Sequence, residues 1–202
     1  MEVVIVGAPN VGKSLFVINF TQYLGSREIQ MEESSGASGL PRDRRLSFEK
    51  ARRDLVSLYS PKTTQIQTMT AHVLINRQPQ RLYLLDTPGI NDGIAPDAAA
   101  RWQIARTLER ALTATTILHM IDASLVATRR RESLGAFDMA MLGWGRQLDC
   151  YGVIAHKMDR PGSHEGLRIL RTQFPDVPII PVSSITRRGY RELKLFLVRA
   201  LT

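Results

Sequence analysis

The sequence has little of what defines several classes of protein. It contains a single cysteine, Cys150, so it cannot form an internal disulfide, and a reducing compartment is the simpler setting. Its apolar runs fall far short of the roughly 20 residues that a membrane-spanning helix needs. Aromatic residues make up only 6% of the chain, which argues against a stacking platform for single-stranded nucleic acid. These shortages favour a cytoplasmic protein without a transmembrane segment.

Acidic residues are also scarce relative to basic ones. The chain has 27 lysines and arginines against 19 acidic residues, which gives a formal net charge of +8. Such an excess favours an anionic partner, such as RNA, a ribosomal particle or an acidic membrane surface. A basic protein whose charged side chains are simply solvated has the same composition, so both interpretations stand.

Apolar, β-branched runs alternate with amphipathic helical patterns, which indicates one α/β domain over residues 1–202 with a largely parallel sheet. The first strand is expected at Glu2–Val6. In the helix expected at residues 97–113, apolar side chains share one face. The further expected strands cover residues 65–76, 81–86, 116–122, 151–156 and 177–182, and the other helices cover residues 13–24, 130–148, 163–174 and 189–201. The apolar face of the helix at residues 97–113 consists of Trp102, Ala105, Leu108 and Leu112.

Residues 25–60 do not fit this alternation. They include Glu32–Gly39, which has a flexible composition, and Arg42–Arg53, which holds six basic residues and two acidic ones. The spacing of apolar residues in Ser47–Tyr59 predicts an amphipathic helix. A segment this long between two elements is usually functional or disordered. We therefore treat residues 25–60 as an insertion within the single domain.

The segment Gly7-Ala-Pro-Asn-Val-Gly-Lys-Ser14 matches the phosphate-binding pattern G-x-x-x-x-G-K-[ST], with a strand before it and a helix after it. Its glycines permit a tight loop whose backbone N–H groups point at phosphate oxygens, and the helix N-terminus adds partial positive charge. Lys13 is expected to reach the β- and γ-phosphates, and Ser14 to offer its hydroxyl to Mg²⁺. The residues expected to contact phosphate are Asn10, Val11, Gly12, Lys13, Ser14 and Leu15.

Two further segments suit a triphosphate and its metal ion. Asp86-Thr-Pro-Gly89 follows an apolar strand, so Asp86 is expected to hold Mg²⁺, and the N–H of Gly89 to approach the γ-phosphate. Such a contact orders the following loop with GTP and releases it after hydrolysis. Before the second strand, we expect Thr64, rather than Thr63, to bring its hydroxyl to Mg²⁺ when the γ-phosphate is present. An ordinary pair of strand-initiating threonines is the alternative.

Two segments at strand ends predict a binding site for the base of the nucleotide. In His156-Lys-Met-Asp159, the carboxylate of Asp159 can accept hydrogen bonds from guanine N1–H and its exocyclic amine, a donor pair that adenine lacks. The aliphatic stem of Lys157 can lie over the base. Backbone N–H groups of Ser183, Ser184 and Ile185 can meet the guanine carbonyl oxygen.

The ordered set of these motifs resembles that of the Era/Der/TrmE-type GTPases, and residues 181–193 are similar to the last strand and helix of that group. The likeness covers the chain apart from residues 25–60. It implies a P-loop NTPase G domain: a mostly parallel six-stranded sheet of order 2-3-1-4-5-6, with strand 2 antiparallel and helices on both faces. It also implies GTP or GDP with Mg²⁺ as ligands, GTP hydrolysis as the activity, and a monomer or a GTP-dependent dimer.

Three departures limit what this resemblance transfers. His156 stands where the group has Asn or Thr, a residue that contacts the base and ties the base loop to the phosphate loop. The chain ends at Thr202, without the C-terminal RNA-binding domain of Era-like proteins or the second G domain of Der-like ones. Residues 25–60 enlarge the approach to switch I, and no role of the group can be transferred to them.

The source of catalytic charge is a separate question. Ile90 follows Gly89 where Ras-like enzymes have a glutamine that orients water, and isoleucine cannot do this. In several similar GTPases with a hydrophobic residue there, a phosphate-loop asparagine helps to bind K⁺, and Asn10 occupies the matching position. We hypothesise that Asn10 and the switch I backbone bind K⁺, with Arg52 or Arg53 of the insertion as a rival source of charge. The residues expected to contribute to catalysis are Lys13, Thr64, Gly89 and Asn10.

Three functions remain open at this point. The leading one is a slow GTP-hydrolysing switch that acts on RNA or a ribosomal particle, which is favoured by basic patches at Arg42–Arg53, Arg129–Arg131 and Arg187–Arg199. The second is a switch that binds a protein or a membrane-associated complex through residues 25–60. The third is a nucleotide-binding scaffold with little hydrolysis, which Ile90 and His156 keep open.

Overall fold

A single mixed sheet carries the nucleotide-binding loops. The computed structural model describes residues 1–33, 42–56, 63–93, 95, 97–129, 134–148 and 150–200. Its strands lie in the order β3-β2-β4-β5-β1-β6-β7-β8. They are β1 (Glu2–Val6), β2 (Ile29–Glu33), β3 (Arg42–Leu46), β4 (Gln67–Ile75), β5 (Gln78–Asp86), β6 (Thr116–Asp122), β7 (Tyr151–His156) and β8 (Ile179–Pro181).

The six strands predicted from the sequence are all present and in the predicted order. β5, β1, β6, β7 and β8 run parallel to one another, so their carboxyl ends meet along one side of the sheet. β4 pairs with β5 in antiparallel register through a hairpin, as expected for the second strand of the pattern. Asn76 and Arg77 at its turn both have positive φ, which is typical of the tight turns that join such strands.

The expectation of a six-stranded sheet was wrong, because residues 25–60 contribute two strands of their own. β2 pairs with β4, β3 pairs with β2, and both pairings are antiparallel. Ile29 and Met31 of β2 are buried and alternate with polar residues, which is the pattern of a strand with one face in the core. The insertion therefore extends the sheet. Residues 34–41 and 57–62 lie outside the described residues, which include part of the predicted flexible stretch and the end of the predicted helix Ser47–Tyr59.

Helices cover both faces of the sheet. α2 accounts for the described part of the helix predicted at Ser47–Tyr59, and the Ser47 side chain caps it by accepting from the backbone N–H of Lys50. The helix predicted at residues 130–148 is shorter, and α4 before it was not predicted; residues 130–133 lie outside the described residues. The helices are α1 (Lys13–Tyr23), α2 (Phe48–Leu55), α3 (Ala98–Thr113), α4 (Ala123–Arg129), α5 (Ala136–Gly145), α6 (Ser163–Gln173) and α7 (Tyr190–Ala200).

The core has one apolar layer on each face of the sheet. Val3 and Ile5 of β1 face the layer formed with α1, α2 and α7, whereas Val4 and Val6 face the layer formed with α3, α4, α5 and α6. This alternation follows from the two-residue period of a strand. Val3–Val6 of β1 are fully buried, so the loop that leaves this strand starts from a packed part of the core.

The orientation of α3 differs from the one that its apolar face suggested. Trp102 is 53% exposed and Leu112 is 71% exposed, whereas Gln103, Thr107 and Ala111 are buried. The short side chains of Thr107 and Ala111 let the helix lie against the sheet, and the Thr107 hydroxyl donates to the carbonyl oxygen of Gln103, so its burial leaves no lost hydrogen bond. Among the described residues, no helix is both long and apolar enough to cross a membrane.

Candidate functional site

The phosphate loop joins the buried end of β1 to the start of α1. Gly12 has φ +104°, a left-handed conformation, and a Cβ at this position would lie 2.7 Å from Cε1 of His156. Only glycine fits both the backbone angle and the contact. No side chain caps the N-terminus of α1, so its first N–H groups, near Val11, Ser14 and Leu15, keep their capacity to bind an anion.

Lys13 is buried and turned back over the phosphate loop. Its Nζ donates to the carbonyl oxygens of Gly7 and Ala8, each at 2.9 Å. Burial lowers the pKa of the Lys13 amine to about 8, against the opposing charge of Asp86. A bound phosphate would place negative charge beside this desolvated amine and would thereby stabilise its protonated form.

Asp86 forms a corner with Ser14 and Thr63 that suits a hard cation. The side chain of Asp86 is fully buried, and among the described residues its Oδ1 has no hydrogen-bond partner. The Thr63 hydroxyl lies 2.9 Å from the Ser14 hydroxyl and donates to Asp86 Oδ2 at 3.4 Å. Burial raises the pKa of the Asp86 carboxyl to about 6. Carboxylate and hydroxyl oxygens are ligands that Mg²⁺ prefers, so these residues fit the metal that accompanies a nucleotide triphosphate.

The two threonines of this region lie in different places. We expected Thr64 at the metal, yet it is Thr63 that contacts Ser14 and Asp86 in this structure, while Thr64 is exposed. Both threonines line a cavity of about 560 Å³. The physical reason is that the Thr63 hydroxyl forms hydrogen bonds with the Ser14 hydroxyl and the Asp86 carboxylate, which hold Thr63 in this corner.

The segment after Asp86 packs closely on the phosphate loop. A Cβ on Gly89 would lie 2.6 Å from Cα of Pro9, so a glycine is needed for this approach. The N–H of Ile90 donates to the carbonyl oxygen of Gly7 at 3.3 Å, and the Ile90 side chain is buried. Gly89 therefore lies beside the phosphate loop, and the apolar side chain of Ile90 is buried next to it.

Asp159 and Lys157 lie in the loop after β7, on the same side of the sheet as the phosphate loop. The Ser183 hydroxyl donates to Asp159 Oδ1 at 2.6 Å, which fixes the direction of the exposed carboxylate. The Lys157 ammonium donates to the carbonyl oxygen of Asn10 and lies 2.7 Å from Asp122 Oδ2. Its stem is therefore held between the base loop and the phosphate loop.

The comparison with known families decides what this arrangement is. Residues 2–155 match the family described as 50S ribosome-binding GTPase, which is well over half of the chain. The chain belongs to this GTPase family. Membership implies that the domain binds GTP and hydrolyses it, and the family binds GTP or GDP together with Mg²⁺.

Curated relatives of the family are only partly covered by this chain. GTPase Obg of Staphylococcus aureus is 30% identical over 125 residues, a match that covers 59% of this chain and 28% of Obg. The chain thus aligns with less than a third of the length of the relative.

Solved GTPases show the same fold. Era in complex with MgGDPNP and a segment of 16S ribosomal RNA has a TM-score of 0.66 and 22% identity, covering 98% of this chain and 56% of Era. Aquifex aeolicus Era bound to GDP and aluminium fluoride has a TM-score of 0.64, 23% identity and the same coverage. The G domain of the T. maritima FeoB iron transporter has a TM-score of 0.59 and 16% identity, covering 100% of this chain and 99% of that domain.

His156 departs from the pattern of similar GTPases, and the structure shows how the domain accommodates it. Its Nδ1 lies 2.7 Å from the carbonyl oxygen of Val11, and its Nε2 lies 2.7 Å from the Ser184 hydroxyl. A carbonyl can only accept, so Nδ1 carries the proton and Nε2 accepts from Ser184. Burial lowers the pKa of the imidazole to about 4. A neutral histidine thus ties the base loop to the phosphate loop, as the usual Asn or Thr does.

Two residues that shape the GTPase site were not predicted from the sequence. Asp122, at the end of β6, holds the Lys157 ammonium; burial opposes its ionisation, but hydrogen bonds from Lys157 and Ser124 outweigh burial and keep the pKa of that carboxyl below its usual value. Its position at the carboxyl end of a parallel strand was an available signal. Asn19 donates to the carbonyl oxygen of Ser184, and no motif marks it.

Proposed function

We propose that this G domain is a slow GTP-operated switch that uses Mg²⁺ and is stimulated by K⁺. The observation that carries the proposal is the corner of Ser14, Thr63 and Asp86, with a buried carboxylate oxygen that has no protein partner among the described residues. Mg²⁺, when bound there, would neutralise charge on the transferring phosphoryl group. Lys13 and the N–H groups of the phosphate loop would position the β- and γ-phosphates, with Thr64 as the switch I ligand in the triphosphate state.

Slow turnover is expected because Ile90, the residue that follows Gly89, cannot orient the attacking water. Ile90 is buried, so the position after Gly89 offers neither a donor nor an acceptor to the attacking water. Unassisted switches of this kind turn over at about 10⁻⁴ to 10⁻² per second. In the proposal, the Asn10 side chain helps to bind K⁺ beside the phosphates. Asn10 is exposed in the phosphate loop with φ +61°.

The rival arginines fit a catalytic role poorly. Arg52 donates to Asn19 and Gln22 of α1, and Arg53 is 76% exposed and donates to Asp54 of its own helix. Both guanidinium groups therefore have partners on the α1–α2 side of the domain, which supports K⁺ over an internal arginine as the source of positive charge.

The test is steady-state GTP hydrolysis in matched KCl and NaCl buffers, with ATP as the control substrate. We expect faster GTP turnover in KCl, loss of the difference between the salts in Asn10→Ala, and little ATP turnover. Equal rates in the two salts would contradict the K⁺ site. Absence of GTP turnover in both salts would favour the scaffold alternative.

The partner that we propose is RNA or a ribosomal particle. The family is named for ribosome binding, the solved Era complex holds a segment of 16S ribosomal RNA, and this chain has a net charge of +8. The alternative is a protein partner that docks on the insertion, now seen as β2, β3 and α2. RNA binding that weakens steeply with salt supports the first proposal, and a stoichiometric complex with a protein supports the second. Whether the domain acts as a monomer or a GTP-dependent dimer is measured by light scattering with GDP and with a GTP analogue.

A further inference from the structure

Both the nitrogen and the oxygen of the Asn19 side-chain amide, on α1, form hydrogen bonds within the protein. Its Nδ2 donates to the carbonyl oxygen of Ser184 at 2.8 Å, and its Oδ1 accepts from Nε of Arg52 at 2.8 Å. Asn19 is only 7% exposed, so a lost partner would leave a buried polar group unsatisfied. Ser184 belongs to the loop after β8 that we assign to the guanine base.

Arg52 sets the orientation of this amide. A guanidinium can only donate, so it requires the oxygen of Asn19 to face α2, and the Nδ2 group must then face Ser184. The guanidinium is itself held in place: its Nη2 donates to Oε1 of Gln22 at 2.5 Å, and it lies 5.9 Å from the centre of the Phe48 ring. Arg52 is therefore connected to the loop through the side chain of Asn19.

A second arginine, from the other end of this connection, donates to the same glutamine. Arg187 lies just beyond the base loop, and its Nη2 donates to Oε1 of Gln22 at 2.9 Å. The insertion and the base loop are thus joined at two places on α1, namely at Asn19 and at Gln22.

The connection continues to the phosphate loop. The Ser184 hydroxyl donates to Nε2 of His156, and Nδ1 of His156 donates to the carbonyl oxygen of Val11. The contacts run without a break from α2 through Asn19, Ser184 and His156 to the phosphate loop, and every member is at least half-buried. Movement of the base loop away from the nucleotide would break the bond between Asn19 and Ser184.

We propose that Arg52 and Asn19 are positioning residues that hold the guanine loop closed, so that α2 of the insertion sets how long a guanine nucleotide stays bound. This inference rests on the proposed base site at Asp159 and Ser183–Ile185. It makes α2 of the insertion a determinant of nucleotide dissociation through Arg52 and Asn19. Hydrogen bonds that involve a charged group carry enough energy for loss of one to speed dissociation about tenfold or more.

The experiment measures the dissociation rate of a fluorescent GDP, displaced by excess unlabelled GDP in saturating Mg²⁺. We expect Arg52→Ala and Asn19→Ala each to raise this rate about tenfold, with kcat at saturating GTP within twofold of the original and KM raised. The matched control is Arg53→Ala on the same helix, which should leave the rate unchanged. Arg52→Lys retains one donor for Asn19 and should recover part of the loss.

Asn19→Asp separates the two ends of the amide. The carboxylate still accepts from Arg52 but cannot donate to Ser184, so its dissociation rate should rise as much as that of Asn19→Ala. A rate equal to that of the unchanged protein in Asn19→Asp and in Arg52→Ala would overturn the inference.

A further variant distinguishes failure of this inference from failure of the base site. Asp159→Asn should weaken the binding of GTP and strengthen the binding of xanthosine triphosphate, whose base presents a carbonyl where guanine has its amine. If Asp159→Asn weakens GTP binding while GDP leaves Arg52→Ala at the unchanged rate, the base site is supported and the role of Arg52 is contradicted. If Asp159→Asn leaves GTP affinity unchanged, the base site is misplaced and both proposals fall.

Discussion

The protonation state and the contacts of a residue in the site depend on partners that are distant in the sequence. His156 was recognised from the sequence as a departure from its family, but its two partners, Val11 and Ser184, lie 145 and 28 positions away along the chain. The phosphate loop and Asp86 could be predicted because each is a short, contiguous pattern. Long-range partners such as Asp122 and Asn19 could not, since only the fold brings them near.

The buried imidazole of His156 should make folding sensitive to acid. Its pKa is about 4 in the folded domain and about 6.5 when unfolded, so between these values the unfolded chain binds a proton that the folded domain does not. The free energy of unfolding should therefore fall as pH drops from about 6.5 to 4, by up to about 3 kcal/mol. Urea denaturation at pH 7 and pH 4.5 measures this fall, which should be smaller in His156→Asn; equal falls would contradict it.

The two threonines of switch I should differ in their effect on magnesium. The Thr63 hydroxyl competes with a cation for Ser14 and Asp86, so Thr63→Ala should leave Mg²⁺ binding with a GTP analogue unchanged or tighter. Thr64→Ala should weaken it and slow hydrolysis about tenfold or more, because a ligand of the triphosphate state is lost. Magnesium titration of turnover compares the two variants. A larger loss in Thr63→Ala would assign the metal ligand to Thr63 instead.

Elements with weak or misleading patterns were the ones predicted least well. β2 and β3 have five residues each, and β3 is largely charged, so no apolar alternation marks it. α3 was predicted as a helix, but its apolar face is exposed because the sheet accepts the smaller Thr107 and Ala111. Long apolar strands such as β6 were predicted well, since burial on both faces leaves a continuous signal.

The apolar face of α2 should contribute measurably to the stability of the whole domain. Leu55 is 8% exposed and packs in the core layer that α2 shares with α1. Leu55→Ala should lower the free energy of unfolding by about 2–3 kcal/mol, and Lys50→Ala, on the exposed face of the same helix, by less than about 0.5 kcal/mol. Chemical denaturation measures both. Similar small losses in the two variants would show that α2 is not an integral part of the core.

At the scale of the whole molecule, the excess of positive charge predicts how a nucleic acid would bind. Arg42 and Arg45 of β3 are exposed on the outermost strand of the sheet, and Arg168 and Arg171 of α6 are exposed elsewhere. Net charge alone cannot tell these surfaces apart, so a partner could not be predicted from composition.

A double substitution of each pair tests whether the insertion provides the RNA surface. Arg42→Gln with Arg45→Gln should weaken binding to a ribosomal RNA fragment and reduce the slope of log K against log salt by about one to two, because phosphate contacts are lost. Arg168→Gln with Arg171→Gln changes the net charge equally and should have a smaller effect. Equal effects of the two pairs would indicate nonspecific attraction to the whole molecule.

The pairing of β2 with β4 also covers a strand edge that could otherwise pair with a second copy of the domain. Residues Gln30–Glu33 cover the backbone of Gln67–Thr70, and among the described strands the edge of the sheet passes to β3, where Arg42, Asp43 and Arg45 carry exposed charges. Charged edges discourage strand addition between molecules. A chain shortened by removal of residues 25–60 would present the uncharged Thr68-Met-Thr70 edge instead. We therefore expect removal of residues 25–60 to promote association between copies of the domain.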